Sequence, residues 1–237
     1  MQHRNQIQLK RRVGRCVAAA LALALASPIR AQAPDATGCG DLSNGDNGPF
    51  DFRNERRDLL KLGEAFHFTP KVEALISGQS RVEVGGDLDF ILRMFPNHHR
   101  ALMAVMRWGE KLRTESPRDM PRPIACYFER ALRFRPDDHV VRMIYAMFLS
   151  RNARQPEALT QLDQVATRAG DNAFTHYNVG LQYFELKQYD KALAQAHAAM
   201  SLDFPRTELR EQLKAVGKWR DPAIMPAPAA SAASAPS

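Results

Sequence analysis

Residues 173–205 read AFTHYNVGLQYFELKQYDKALAQAHAAMSLDFP, and the fold turns on how this stretch is read. The small residues Gly180, Ala192 and Ala199 stand beside the larger Val179 and Tyr183, at spacings that let two short helices lie against each other. The pattern returns 34 residues upstream, from His139, as Tyr145-Ala146, Leu149, Ala158, Leu162 and Val165. A further copy starts near Asn97 with Met103-Ala104. It passes a Pro-rich insertion, Thr114–Pro123 (TESPRDMPRP), and continues through Ile124, Phe128, Ala131 and Pro136. Self-similarity at this period marks helical hairpins that bury their apolar faces against one another in a row.

The pattern resembles the tetratricopeptide repeat (TPR). The resemblance implies an all-α fold, a right-handed superhelical stack of three TPR hairpins at 97–138, 139–172 and 173–205. Such a stack supplies a concave wall and no chemistry of its own. The positions lining that wall in the family fall on His98, Val105 and Trp108 in the first repeat. They fall on Val140, Met143, Met147 and Arg151 in the second, and on Phe174, Tyr177, Leu181, Phe184 and Glu185 in the third. This stripe is aromatic and Met-rich, suited to a helix or an extended peptide of a protein partner. Some members hold a C-terminal carboxylate with paired Lys/Arg and Asn residues, and here Asn178 alone resembles part of that set. The groove is open to a partner, filled from within by residues 50–96 or the last helix, or a contact between copies; the oligomeric state is not legible.

The flanks read as caps. Residues 55–96 form an N-terminal helical cap: Asn54 is placed to cap a helix over Glu55–Phe66, and Thr69-Pro70 to start a second ending at Gly78. Asp87 is placed to open a third, with Leu88, Ile91, Leu92 and Phe95 as its apolar stripe, and Arg81–Val84 fits a short strand with no obvious partner. Asp137-Asp138 and Asp171-Asn172 precede the first helices of the second and third repeats, where short polar side chains cap exposed N–H groups, and Pro156 opens a second helix. Residues 206–220 form a C-terminal capping helix with Leu209, Leu213 and Val216 on one face and Gly217 at its end.

The first 33 residues read as a signal peptide: Arg4, Lys10, Arg11, Arg12 and Arg15, then an apolar Val17–Ala26, then Ala31-Gln32-Ala33. That apolar run is about half the roughly 20 residues a membrane span needs, so no stable span is expected after cleavage. Six of the 33 basic residues and none of the 26 acidic ones lie in this leader, which leaves a near-neutral remainder. Bulk charge therefore gives no support for nucleic acid as a partner. Residues 34–54 read as an extended arm and 221–237, rich in Pro, Ala and Ser, as a disordered tail. Beyond the leader stand two cysteines, Cys39 in the arm and Cys126 in the first repeat. They form a disulfide that pins the arm to the stack, or remain two thiols.

No phosphate loop, nucleophile elbow, HExxH or Cys-His pairing is present, so no enzyme, cofactor or metal is expected. Glu64 and His67 have ligand spacing without a third partner. His98 and His99 diverge on a helix and, with Phe95 and Pro96, stand where the cap meets the repeats, a place that suits fixing that junction or, alternatively, a partner site; His176 stands at a packing position. The segments HFTPKVEAL and DLDFILRMFPNHHRAL are similar to parts of a group of exported bacterial TPR proteins, a likeness spanning roughly residues 38–220. The expected role is an exported, periplasmic scaffold that holds a protein partner in organising the cell envelope. The alternative is a small metal- or glycan-binding protein using its histidines or groove aromatics.

Overall fold

The computed structural model describes residues 38–79 and 83–222, and among them the regular structure is ten helices, with a lone bridge between Asn44 and Asp46 in the arm. The leader and the tail beyond Pro222 lie outside the described residues, as do Arg81 and Val82 of the short-strand expectation; Val84 begins a helix. The first three helices are α1 (Arg57–His67), α2 (Pro70–Glu73) and α3 (Val84–Met94). Three hairpins follow: α4 (His99–Leu112) with α5 (Ile124–Phe134), α6 (His139–Arg151) with α7 (Gln155–Arg168), and α8 (Ala173–Glu185) with α9 (Tyr189–Ser201). A last helix, α10, covers Glu208–Ala215.

The hairpins pack in chain order. Helix α4 touches α6, α6 touches α8 and α8 touches α10, while α5, α7 and α9 each touch the first helix of the next unit. Small residues make this approach possible. Ala158, Ala192 and Ala199 are buried at the contacts, and a Cβ on Gly180 would stand 2.5 Å from Leu209 Cδ2 and 3.2 Å from Gln195 Cβ. Aromatic rings fill the wider gaps: Phe128 of α5 stacks on Tyr145 and Phe148 of α6, at centroid distances of 5.1 and 5.3 Å. Tyr183 of α8 sends its hydroxyl 2.6 Å to Asp163 of α7, which also takes Lys191 of α9.

Helix starts follow local chemistry where a short polar side chain stands in extended backbone. Asp138 accepts from the Val141 amide and Asn172 from the Thr175 amide, and Pro156 occupies the first turn of α7. The N-terminal cap departs from expectation in three places. Helix α1 starts at Arg57 after a left-handed Arg56, and Asn54 does not cap it; the Asp51 carbonyl takes the Asn54 and Glu55 amides instead. Helix α2 is a single turn behind Thr69 and stops at Glu73, not Gly78. Helix α3 opens at Val84, so Asp87 sits inside its first turn, fully buried. At the other end Leu209 and Leu213 are buried, whereas Val216, expected on the same stripe, is 43% exposed because α10 has already ended.

Cys39 and Cys126 form a disulfide, with Cα atoms 5.1 Å apart. The arm beside it is held by arginines: Arg122 Nε donates to the Cys39 carbonyl (3.2 Å) and Arg130 Nη1 to the Gly40 carbonyl (3.1 Å). No helix of the described residues is long and apolar enough to cross a membrane.

Candidate functional site

The residues expected to line a groove divide by burial. His98 and Val105 on α4, Met143 on α6 and Tyr177 on α8 are buried and offer no surface to a partner. Tyr177 is covered from the C-terminal side: its hydroxyl donates to Glu208 of α10, and its ring lies 4.8 Å from Phe204. Val140 and Met147 on α6 and Leu181 and Phe184 on α8 are half-buried, and Phe174 is 55% exposed. Phe184 packs edge-on against Tyr189 at 5.4 Å. Glu185 is exposed, and Arg151 pairs with Glu110 at 2.8 Å across α6 and α4. Apart from Trp108 on α4, the expected groove residues that keep accessible apolar surface lie on the neighbouring helices α6 and α8.

At the α4 end, residues 50–99 build a buried polar junction. Asn97, fully buried, donates to Asp51 Oδ1 (2.9 Å) and Asp138 Oδ2 (3.0 Å), while its Oδ1 accepts from the Phe52 amide (3.0 Å). Arg53 and Arg135 bring their guanidiniums to Asp51, at 2.7 and 2.6 Å, and His99 Nε2 meets Asp138 at 3.0 Å. Burial raises the Asp51 carboxyl, but hydrogen bonds from Arg53 and Asn97 outweigh it and hold the group well below the usual carboxylate range. Asp138 is held down in the same way: burial is outweighed by His99, Asn97 and the Val141 amide. Residues of the arm, of the segment leading into α4 and of the turn between hairpins thus share a single network, whose pairings no motif in the sequence announced.

His98 sits in the same junction with a different duty. Its Nδ1 accepts from the Ala101 amide (3.2 Å) and so caps α4, while Nε2 faces Glu64 at 3.1 Å. Its ring lies 4.5 Å from Phe52 and 5.0 Å from Phe68. Burial pushes the imidazole down to about 4, against the pull of Glu64. Glu64 and His67, one turn apart, are directed away from each other in function: Glu64 serves His98, and His67 serves Asp87 at 2.8 Å. His176 bridges Gln195 (2.7 Å) and the Gly170 carbonyl (2.8 Å). Among the described residues, no three His, Cys, Asp or Glu side chains are gathered as metal ligands.

Trp108 belongs to a separate cleft of about 790 Å³ between the start of α3, the end of α4 and the Pro-rich insertion. Its indole N–H donates to Asp119 Oδ1 (3.1 Å), and Lys111 stands 5.5 Å from its ring centroid. Asp119 Oδ2 also accepts from the Gly85 amide (2.7 Å), tying the insertion to the first turn of α3. The insertion, legible only as an interruption of the repeat, is therefore a structural element that roofs this cleft.

Comparison with protein-family models finds no match for this chain, and comparisons with curated proteins and with solved structures find none either.

Proposed function

We propose that the chain is an exported scaffold of three TPR-type hairpins with helical caps, which holds a protein partner in the organisation of the cell envelope. Three features support the hairpin reading: the period in the sequence, the packing of α4, α6, α8 and α10 in chain order, and small residues buried at the contacts. The disulfide suits an oxidising, periplasmic compartment. The groove of this reading is shorter than the repeat positions imply. The N-terminal cap fills it at α4 and α10 closes it at Tyr177, leaving the row Val140, Met147, Leu181, Phe184 and Phe174.

The observation that carries the proposal is Phe174, a large aromatic left 55% exposed at the end of this half-buried apolar row. An aromatic held by a rigid helix is the kind of group that anchors a partner, with Arg151 and Glu185 setting polarity at the rim. A photoreactive residue at position 181 in intact cells tests it. A discrete crosslinked protein that disappears with Phe174→Asp is expected; intramolecular products alone would remove the proposal. A glycan reading keeps one support, Trp108 on the wall of the large cleft beside Ser77, Thr114 and Ser116. Soluble polysaccharide would then quench tryptophan fluorescence, and Trp108→Ala would abolish the quenching.

A further inference from the structure

A second pocket, of about 360 Å³, opens between α1, α3 and the arm. Its wall is apolar: Leu59, Leu62 and Phe66 come from α1, Phe90 and Met94 from α3. Leu62 and Phe66, one helical turn apart, remain 56% and 54% exposed. Two polar side chains converge on this wall. His67 stacks on Phe90, centroids 3.8 Å apart, and its Nδ1–H donates to the fully buried Asp87 at 2.8 Å. Asp87 is fixed in turn by the Gln79 amide at 2.6 Å. That arrangement sets the ring and leaves Nε2 without a partner among the described residues. Arg93 stands 5.4 Å from the centroid of the same Phe90 ring. Its Nε donates to Asp89 (2.9 Å) and its Nη1 reaches Asn44 Oδ1 (3.5 Å), and Nη2 has no partner among the described residues.

Charge decides what such a pocket takes. Asp89 is shared between Arg93 and Arg122, at 2.9 and 3.0 Å, and also accepts from the Tyr127 hydroxyl at 2.7 Å. One carboxylate thus answers two guanidiniums. Arg130, buried on α5, donates to the main-chain carbonyls of Gly40 and Asp41 and forms no ion pair among the described residues. A half-buried guanidinium with an open donor and an incomplete counter-charge favours an anion over an amine or a neutral group.

We propose that this pocket binds the free carboxylate of a medium-chain aliphatic acid. The chain lies against Leu62, Phe66 and Phe90. The carboxylate sits between Arg93 Nη2 and His67 Nε2, and binding takes up one proton from solvent, which sits on Nε2 and is donated to the carboxylate. At the ~30 Å³ that a water occupies in the liquid, the pocket holds about a dozen non-hydrogen atoms, the size of a ten-carbon acid. Pockets of this volume with an apolar lining and a few convergent polar groups are the usual form of small-ligand sites.

Calorimetric titration of the intact, disulfide-bonded chain with decanoate below its micelle concentration tests the proposal, with decanol in parallel. One decanoate per chain is expected, with decanol at least about tenfold weaker and Arg93→Gln weakened by a similar factor, as loss of a charged hydrogen bond implies. Phe66→Asp changes an exposed position, so it should abolish binding without shifting the thermal midpoint. Equal binding of decanoate and decanol, no saturable binding, or binding indifferent to both variants would overturn the proposal. So would a concentration-dependent dimer that Phe66→Asp dissociates, since this face would then join two copies of the chain.

Discussion

His98 carries its proton on Nε2, because Nδ1 is already occupied by the Ala101 amide hydrogen at the start of α4. A second proton would have to enter at Nδ1, facing another N–H in a site closed to water, so the folded state resists it. The unfolded chain accepts that proton near 6.5, whereas the folded imidazole is pushed down to about 4. Between those values the unfolded state binds more protons, so stability falls as pH falls, by up to about 3 kcal/mol. Asp51 and Asp138, both lowered, give up their contributions only at more acidic pH. Urea midpoints measured from pH 7 to 4 should show this slope, and His98→Asn, which keeps a capping acceptor without a titrating ring, should flatten it. Asn97→Ala leaves two buried carboxylates short of donors and the Phe52 amide short of an acceptor. A loss of about 3 kcal/mol in urea unfolding is expected. In the sequence Asn97 marked only the start of a repeat, and His98 read both as a groove position and, with His99, as part of the seam between cap and repeats; the partners of all three were not visible. Hydrogen-bond partners more than 40 residues apart leave no periodic trace.

Elements were legible where their cause is local. Asp138 and Asn172 cap α6 and α8 because a short acceptor in extended backbone reaches the third amide of the following turn. Asn172→Ala removes only that bond and should cost about 1 kcal/mol by thermal unfolding. Asn54 has the same chemistry yet caps nothing, since the chain from Asp51 to Arg56 is bent by the junction before α1 begins. Asp87 likewise reads as a helix start but is drawn inside α3, where it receives His67 and Gln79. Helix α10 depends on its neighbours rather than on length: eight residues are too few to be stable alone, and Leu209 is 1% exposed against Gly180. Leu209→Ala should therefore cost about 3 kcal/mol, measured by denaturant unfolding, and should uncover Tyr177 as well.

Across the whole molecule, the arm, the cap and the hairpins are joined by one covalent link and one polar junction. The Cys39–Cys126 bridge spans 87 residues, and closing a loop of that length in the unfolded chain contributes about 4–5 kcal/mol. Cys39→Ser with Cys126→Ser should lower the urea midpoint accordingly in the absence of reductant. The arginine contacts at Gly40 should loosen with it, read as faster amide exchange in the arm. At this scale the burial of the residues expected to line a groove was decided. The apolar stripe at helical spacing was compatible with a self-contact, a partner or a dimer, because periodicity states that a face is buried and not by what. The sequence by itself determined a helical chain over the described residues, the short polar groups before α6 and α8 and the two cysteines available to pair. All of these follow from spacing and backbone chemistry within a turn or two. Only the tertiary structure decided that His98 and Tyr177 are sealed, that Phe174 stays out, and that His67 and Arg93 both pack on Phe90. Those outcomes depend on side chains distant in the chain competing for the same space and the same hydrogen bonds.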